Sequence, residues 1–180
     1  MVNQSVSTQL LRHFEGGAVT PLTLLDLVDR HRVSVSAALA QHKDRQSELG
    51  QYFTPEPIAR FMASMILPCA EADTLRVLDS GCGNAILTAA FVSEVCTRWP
   101  IRPREIFVTL WEVDEDLAAE IERTVALCAE VCEGEGIKFT ADIRFGDFIK
   151  DASAIVDREG LYATKLAPFD VAIMNPPYRK

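Results

Sequence analysis

Four short stretches of the chain hold residue types that can do chemistry. The most distinctive is Asn175-Pro176-Pro177-Tyr178. The Asn175 side-chain carbonyl and the Pro176 backbone carbonyl can both accept protons from one exocyclic NH2 group. Such a fork selects an amine and draws electron density onto its nitrogen. Pro176 and Pro177 restrict the backbone that carries the acceptors, and Tyr178 offers a face for a planar base to stack on. The second stretch is the turn Asp79-Ser80-Gly81-Cys82-Gly83, whose two glycines permit a sharp path and the close approach of a ligand. Its spacing is shorter than the dinucleotide pattern G-x-G-x-x-G, with Ala85 and Ile86 following where a third glycine would be sought. The other two are acids, Glu112 and Asp147, each after an apolar run.

Together these residues describe a ligand. Glu112 can accept the hydroxyls of a ribose, with Asp114 a competitor for that role. Asp147 can accept from an exocyclic adenine amine, with Phe148 beside the base and Ile86 or Val113 as apolar surroundings. No G-x-x-x-x-G-K-[ST] phosphate cradle is present. The reading is an adenosine joined to something other than a polyphosphate, and S-adenosylmethionine fits it.

The elements around these stretches have a clear rhythm. Thr20-Pro21 predicts a helix start, with an apolar stripe of either Leu22, Leu25 and Val28 or Leu24, Leu27 and Val28. A second short helix is expected over residues 34–43. Thr54-Pro55 or Glu56-Pro57 opens a helix running through Phe61, Met62, Met65 and Ile66, with Pro68 ending it. Then come a strand at 75–78, a helix at 85–99, a strand at 105–111 and a long amphipathic helix at 114–132, with Leu117, Ile121, Val125 and Cys128 near one face. Ile137, Phe139, Ala141 and Ile143 alternate as a third strand, a further helix follows, and 169–174 reads as the fourth strand. Strands alternating with helices predict an α/β protein with a parallel, doubly wound sheet. Ligands in such sheets bind beyond the carboxyl ends of the strands, where all four chemical stretches fall.

Composition bounds the function. The chain has 180 residues, 48% of them hydrophobic, and a formal net charge of −8. That balance argues against a strong duplex-binding surface within these residues, though not against a pocket that handles one base. Five scattered cysteines, Cys69, Cys82, Cys96, Cys128 and Cys132, suggest no disulfide framework, and a reducing, cytoplasmic setting is expected. No metal site is expected: Cys128 and Cys132 stand four apart, but His13, His31 and His42 are remote in sequence. No run is long and apolar enough for a membrane span, so no membrane partner is expected.

The motifs resemble those of adenine-N6 DNA methyltransferases of restriction-modification systems. QYFTPEPIARFM resembles the segment that precedes the cofactor loop in that family, LDSGCGNAIL the loop itself, and NPPY the catalytic motif. The resemblance covers about residues 48–180. It implies a partial class I methyltransferase (Rossmann-like) sheet over 48–180, preceded by an N-terminal helical segment over 1–47. Thr54 and its neighbours would meet the methionine portion of S-adenosylmethionine, Tyr52, Phe53 and Pro55 would shape its lid, and Asp79 would lie near its ammonium. Gly81 and Gly83 would form the loop, Glu112 would hold the ribose, and Asp147 with Phe148 the adenine. Asn175, Pro176, Pro177 and Tyr178 would be catalytic. The substrate would be double-stranded DNA with a flipped adenine. The family fold has seven strands and a DNA-recognition domain, whereas about four strands are legible here, so a carboxyl-terminal half or a complementary chain is an expected partner. Transfer to RNA adenine or to a glutamine amide, and a non-catalytic cofactor-binding or assembly module, stay open as alternatives.

Overall fold

The computed structural model describes residues 18–30, 53–67, 73–156 and 167–176. The expected second helix at 34–43, Tyr52, Pro68, Cys69, Pro177, Tyr178 and the three histidines lie outside them. After a helical stretch over 24–30, the elements are α1 (Glu56–Ser64), β1 (Thr74–Ser80), α2 (Ile86–Arg98), β2 (Glu105–Glu112), a 3-10 turn (Glu115–Leu117), α3 (Ala118–Gly134), β3 (Lys138–Phe145), α4 (Phe148–Val156) and β4 (Val171–Ile173).

The four strands form one sheet in the order β3-β2-β1-β4, and every pairing is parallel. This is the expected Rossmann-like α/β arrangement. Chain order runs outward from β1 through β2 to β3, then returns to the other side of β1 for β4. That reversal creates a crevice at the carboxyl ends of β1 and β4, where doubly wound sheets hold their ligands. Because all strands point one way, the residues that follow β1, β2, β3 and β4 share one edge.

Register explains the core. Leu75 pairs Ile106, Val77 pairs both Val108 and Val171, and Asp79 pairs both Leu110 and Ile173. Side chains alternate along a strand, so these residues share one face of the sheet. Helices α2 and α3 pack with that face, burying Phe91, Val92, Ile121, Leu127 and Cys128. Helix α1 packs on α2 through Ala59 and Ala63, small residues that permit close approach. The stretch over 24–30 adds Leu24, Leu25 and Val28 to the same core, with Leu27 partly buried, so the second of the two expected stripes is nearer the truth. Its start is closed by a reciprocal pair, Thr20 N–H to Thr23 Oγ1 and Thr23 N–H to Thr20 Oγ1. Ser93 on α2 donates to the Pro21 carbonyl at 2.6 Å, which ties this stretch to the sheet layer.

Three expectations need correction. Helix α1 ends at Ser64, and the Met65 and Ile66 N–H groups bond three residues back, the tightening of a frayed end. Its inward face is Ala59, Met62, Ala63 and Ile66, whereas Phe61 and Met65 point outward. The long helix begins with a 3-10 turn because the Asp114 carboxylate caps Asp116 N–H. Strand β4 keeps three residues of the six expected: it pairs only with β1, and at its start Asp170 accepts from Arg76 N–H through its carboxylate.

Leu25 is almost fully buried. Leu25→Ala should therefore lower the urea midpoint of the whole sheet, at a cost of about 2–5 kcal/mol. Circular dichroism and the fluorescence of Trp99 and Trp111 should shift together. A shift confined to helix signal would make the amino-terminal segment an independent unit.

Candidate functional site

The loop after β1 is shaped by left-handed residues. Gly81 has φ 70°, Gly83 φ 56° and Ala85 φ 61°. Ala85 thus adopts the conformation that a third glycine would take, at a strain of roughly 1–2 kcal/mol, and its methyl is fully buried. Gly81 and Cys82 N–H both donate to the Trp111 carbonyl at the end of β2, at 2.8 and 2.9 Å. Gly83 lies under the Phe53 ring, since a Cβ there would meet Phe53 Cδ1 at 3.5 Å. At Gly81 a Cβ would meet nothing within 4 Å, so the loop opens to space on that side.

Glu112 binds this loop to the next. Its Oε2 accepts from Gly83 N–H at 2.8 Å, and its Oε1 accepts from Val113 and Asp114 N–H at 2.9 and 3.0 Å. The carboxylate is therefore a staple as well as a ligand candidate. Two amides occupy Oε1 and one occupies Oε2; with two lone pairs per oxygen, Oε2 retains acceptor capacity.

Asp79, expected beside the ligand, is not among the cavity-lining residues and has no solvent exposure. Its register between Leu110 and Ile173 turns it into the core. Thr88, on the first turns of α2, donates to its Oδ2 at 2.7 Å, and Oδ1 is a buried oxygen with no hydrogen-bond partner. Burial pushes the Asp79 carboxyl up to about 7, against the opposing Thr88 hydrogen bonds and with help from the negative charge of Glu112. Cys82, inside the glycine loop, is buried too; desolvation, then Asp79 and Glu112, push its thiol well above the ordinary value, which argues against a nucleophilic role.

Asp147 lines the cavity but also starts α4. Its Oδ1 accepts from Ile149 and Lys150 N–H at 3.0 and 3.3 Å, and its Oδ2 lies 3.4 Å from Lys150 Nζ. These contacts, the Lys150 backbone first, hold its carboxyl below the usual value. Phe148 meets Trp111 edge-on with centroids 5.4 Å apart. The sequence reading did not single out Trp111. It is fixed by the Arg144 guanidinium over its ring at 4.4 Å and by donation from Nε1 to Asp151. Residues 111 and 144 are paired in register, a relation visible only once β2 and β3 are aligned.

Asn175 follows β4 and meets Thr54, donating from Nδ2 to Thr54 Oγ1 at 3.1 Å. One residue earlier, Ser80 Oγ donates to Met174 Sδ at 3.7 Å, tying the end of β4 to β1. The Gly81–Asn84 loop, Glu112, Asp147, Phe148, Asn175, Pro176, Phe53 and Thr54 all line one cavity of about 410 Å3. Two of the lining residues are carboxylates and none is Lys, Arg or His. Among the described residues there is no group of His, Cys, Asp and Glu able to hold a metal, and no helix long and apolar enough to cross a membrane.

Comparison with known proteins shows the family of the chain. The family described as N-6 DNA Methylase matches residues 37–180. The chain is 34% identical over 158 residues to Type II methyltransferase M.BsuBI of Bacillus subtilis, across 87% of this chain and 29% of that protein. It is 28% identical over 167 residues to Type II methyltransferase M.PstI of Providencia stuartii, across 92% and 31% respectively. The chain thus spans less than a third of the length of either curated relative. The crystal structure of SCL7 in Oryza sativa aligns over 82% of this chain and 43% of that one, with a TM-score of 0.47 and 16% identity, too slight a likeness to carry an argument.

The raised Asp79 carboxyl has a pH signature. Between the ordinary aspartate value and about 7, the folded state holds a proton that the unfolded state releases. This contribution to stability is fully present below pH ~4 and is lost as pH rises toward 7, by about 1.4 kcal/mol per unit at most. Urea titrations at pH 5 and pH 8 should show Asp79→Asn flattening that dependence. Equal pH dependence in both proteins would remove Asp79 as its source.

Proposed function

From the premise that the chain belongs to the N-6 DNA methylase family, we propose that its cavity binds S-adenosylmethionine and presents the cofactor's methyl to adenine N6 in DNA. One observation carries this reading: the glycine loop, Glu112, Asp147 and the Asn175-Pro176 pair line the same cavity. Its volume falls within the range of small-molecule sites. A lining that holds two carboxylates and no basic side chain suits a cationic nucleoside and disfavours a phosphorylated one. The residues therefore fit the cofactor that the family uses.

When bound, the cofactor supplies an electrophilic methyl on its sulfonium. The chain supplies binding and aim. Glu112 accepts a ribose hydroxyl through Oε2 while its other bonds hold the two loops. Val113, Phe148 and Ile149 flank the adenine, and Asp147 accepts from its amine through Oδ2, in competition with Lys150. Asn175 and the Pro176 carbonyl accept the two N–H bonds of the target amine, so that its lone pair is directed at the methyl. Orientation of this kind is worth several orders of magnitude in rate. Pro177 restricts the backbone after the fork, and Tyr178 stacks on the flipped base. Tyr52, by its likeness to the family motif, would contribute to the cofactor lid. Double-stranded DNA is the substrate, and the sheet and DNA-reading parts supplied by further sequence complete the enzyme.

Isothermal calorimetry on residues 1–180 should detect S-adenosylmethionine or its demethylated product. Glu112→Ala should weaken that binding roughly tenfold or more, from loss of charge-assisted hydrogen bonds. Asn175→Ala should leave it within about twofold, because Asn175 faces the other substrate. In the protein carrying these residues at its natural length, Asn175→Ala should cut methyl incorporation into unmethylated DNA by about a hundredfold. Identification of N6-methyladenine as the product is required. A different methylated base, or an active Asn175→Ala variant, would sink the reading.

A further inference from the structure

We propose that Thr54 is a positioning residue for Asn175, holding its side-chain amide in place for the target amine. The proposal rests on the functional reading above and adds to it a residue 121 positions away in sequence. Asn175 has Thr54 among its partners. It follows a strand of three residues bound to the sheet on one side only, and it is itself half-buried. A primary amide has a donor end and an acceptor end of nearly the same shape. The fork works only if the oxygen is turned toward the amine. An amide turned the other way would point N–H at N–H and repel the substrate.

A hydroxyl accepts from the NH2 end of an amide or donates to its carbonyl end, so Thr54 fixes the place of the Asn175 amide. The bond to Nδ2 is the arrangement that turns the oxygen end away from Thr54. Its Oγ1 takes the Asn175 Nδ2 donor at 3.1 Å, and the planar amide then carries its oxygen on the opposite branch. Thr54 is itself well held. It is 7% exposed, and it precedes Pro55, which confines its backbone to extended conformations. The Pro55 carbonyl accepts from Ile58 and Ala59 N–H at the first turn of α1, and α1 packs on α2. The hydroxyl thus stands on a rigid base, whereas Asn175 stands at the end of a short edge strand. The adjacent Phe53 covers Gly83. Two successive residues therefore touch two parts of the cavity lining, one at the glycine loop and one at the amide.

Thr54→Val keeps the side-chain shape and removes the acceptor, while Thr54→Ser keeps the acceptor. In residues 1–180, the Asn175 side-chain NH2 resonances can be identified by their loss in Asn175→Ala. Thr54→Val should shift them and speed their exchange with water about fivefold or more, and Thr54→Ser should leave them near their native positions. In the protein at its natural length, Thr54→Val should lower kcat about tenfold with cofactor Kd within roughly twofold, and Thr54→Ser should recover most of the rate. Unmoved amide resonances would overturn the proposal. So would weakened cofactor binding with an unchanged kcat at saturation, which would make Thr54 a cofactor contact alone. If Asn175→Ala loses activity but Thr54→Val does not, only the positioning role fails. If Asn175→Ala keeps full activity, the fork fails and the positioning role with it.

Discussion

Three backbone N–H groups from two separate loops converge on the carboxylate of Glu112, a residue only 6% exposed. A carboxylate buried without such donors would be costly by several kcal/mol, so its position dictates the path of both loops. Gly83 must bring its N–H to Oε2, and the left-handed turns at Gly81, Gly83 and Ala85 bend the chain tightly enough to do so. The Trp111 carbonyl, one residue before Glu112, takes two further N–H groups from the same loop. The cavity floor is thus held by the end of β2, and the loop over it has few other ways to satisfy its backbone. Everything that the cavity can bind is shaped by this one junction.

The alternation of apolar runs and helical stripes made the parallel sheet legible, and with it the shared edge at which Glu112, Asp147 and Asn175 appear. What the sequence could not disclose was direction. Asp79 reads as a ligand because it opens a glycine turn; strand periodicity sends it to the core face instead, where Thr88 meets it. Phe61 and Met65 belong to the apolar residues that mark the helix by their spacing, yet they are exposed and the small residues Ala59 and Ala63 face α2. Asp147 was legible as a strand-end acid, but its second role as the cap of α4 follows from the N–H groups of Ile149 and Lys150. Trp111 and Thr54 were harder still. The first depends on register with Arg144, and the second on a bond spanning most of the chain. Local pattern does not encode such long-range partners.

Ala85 shows why motif spacing and backbone shape are separate things. A search for glycine at that position finds alanine, but the fold needs a left-handed residue there and obtains one. The cost is local strain, offset by a methyl packed wholly within the core. The turn belongs to the geometry of the sheet edge, and residue identity follows it loosely.

The position of β1 between β2 and β4 also sets an order of events at the ribosome. Its β2 partner emerges soon after it, but its β4 partner follows some 94 residues later, the separation of Arg76 and Asp170. At about 5–20 residues per second, that interval is on the order of 5–20 s. Throughout it, one side of the central strand is without the partner it has in the folded sheet. An unpaired apolar edge is a template for foreign strands, so the nascent chain passes through its most adhesive state just before the wall that carries Asn175 can arrive.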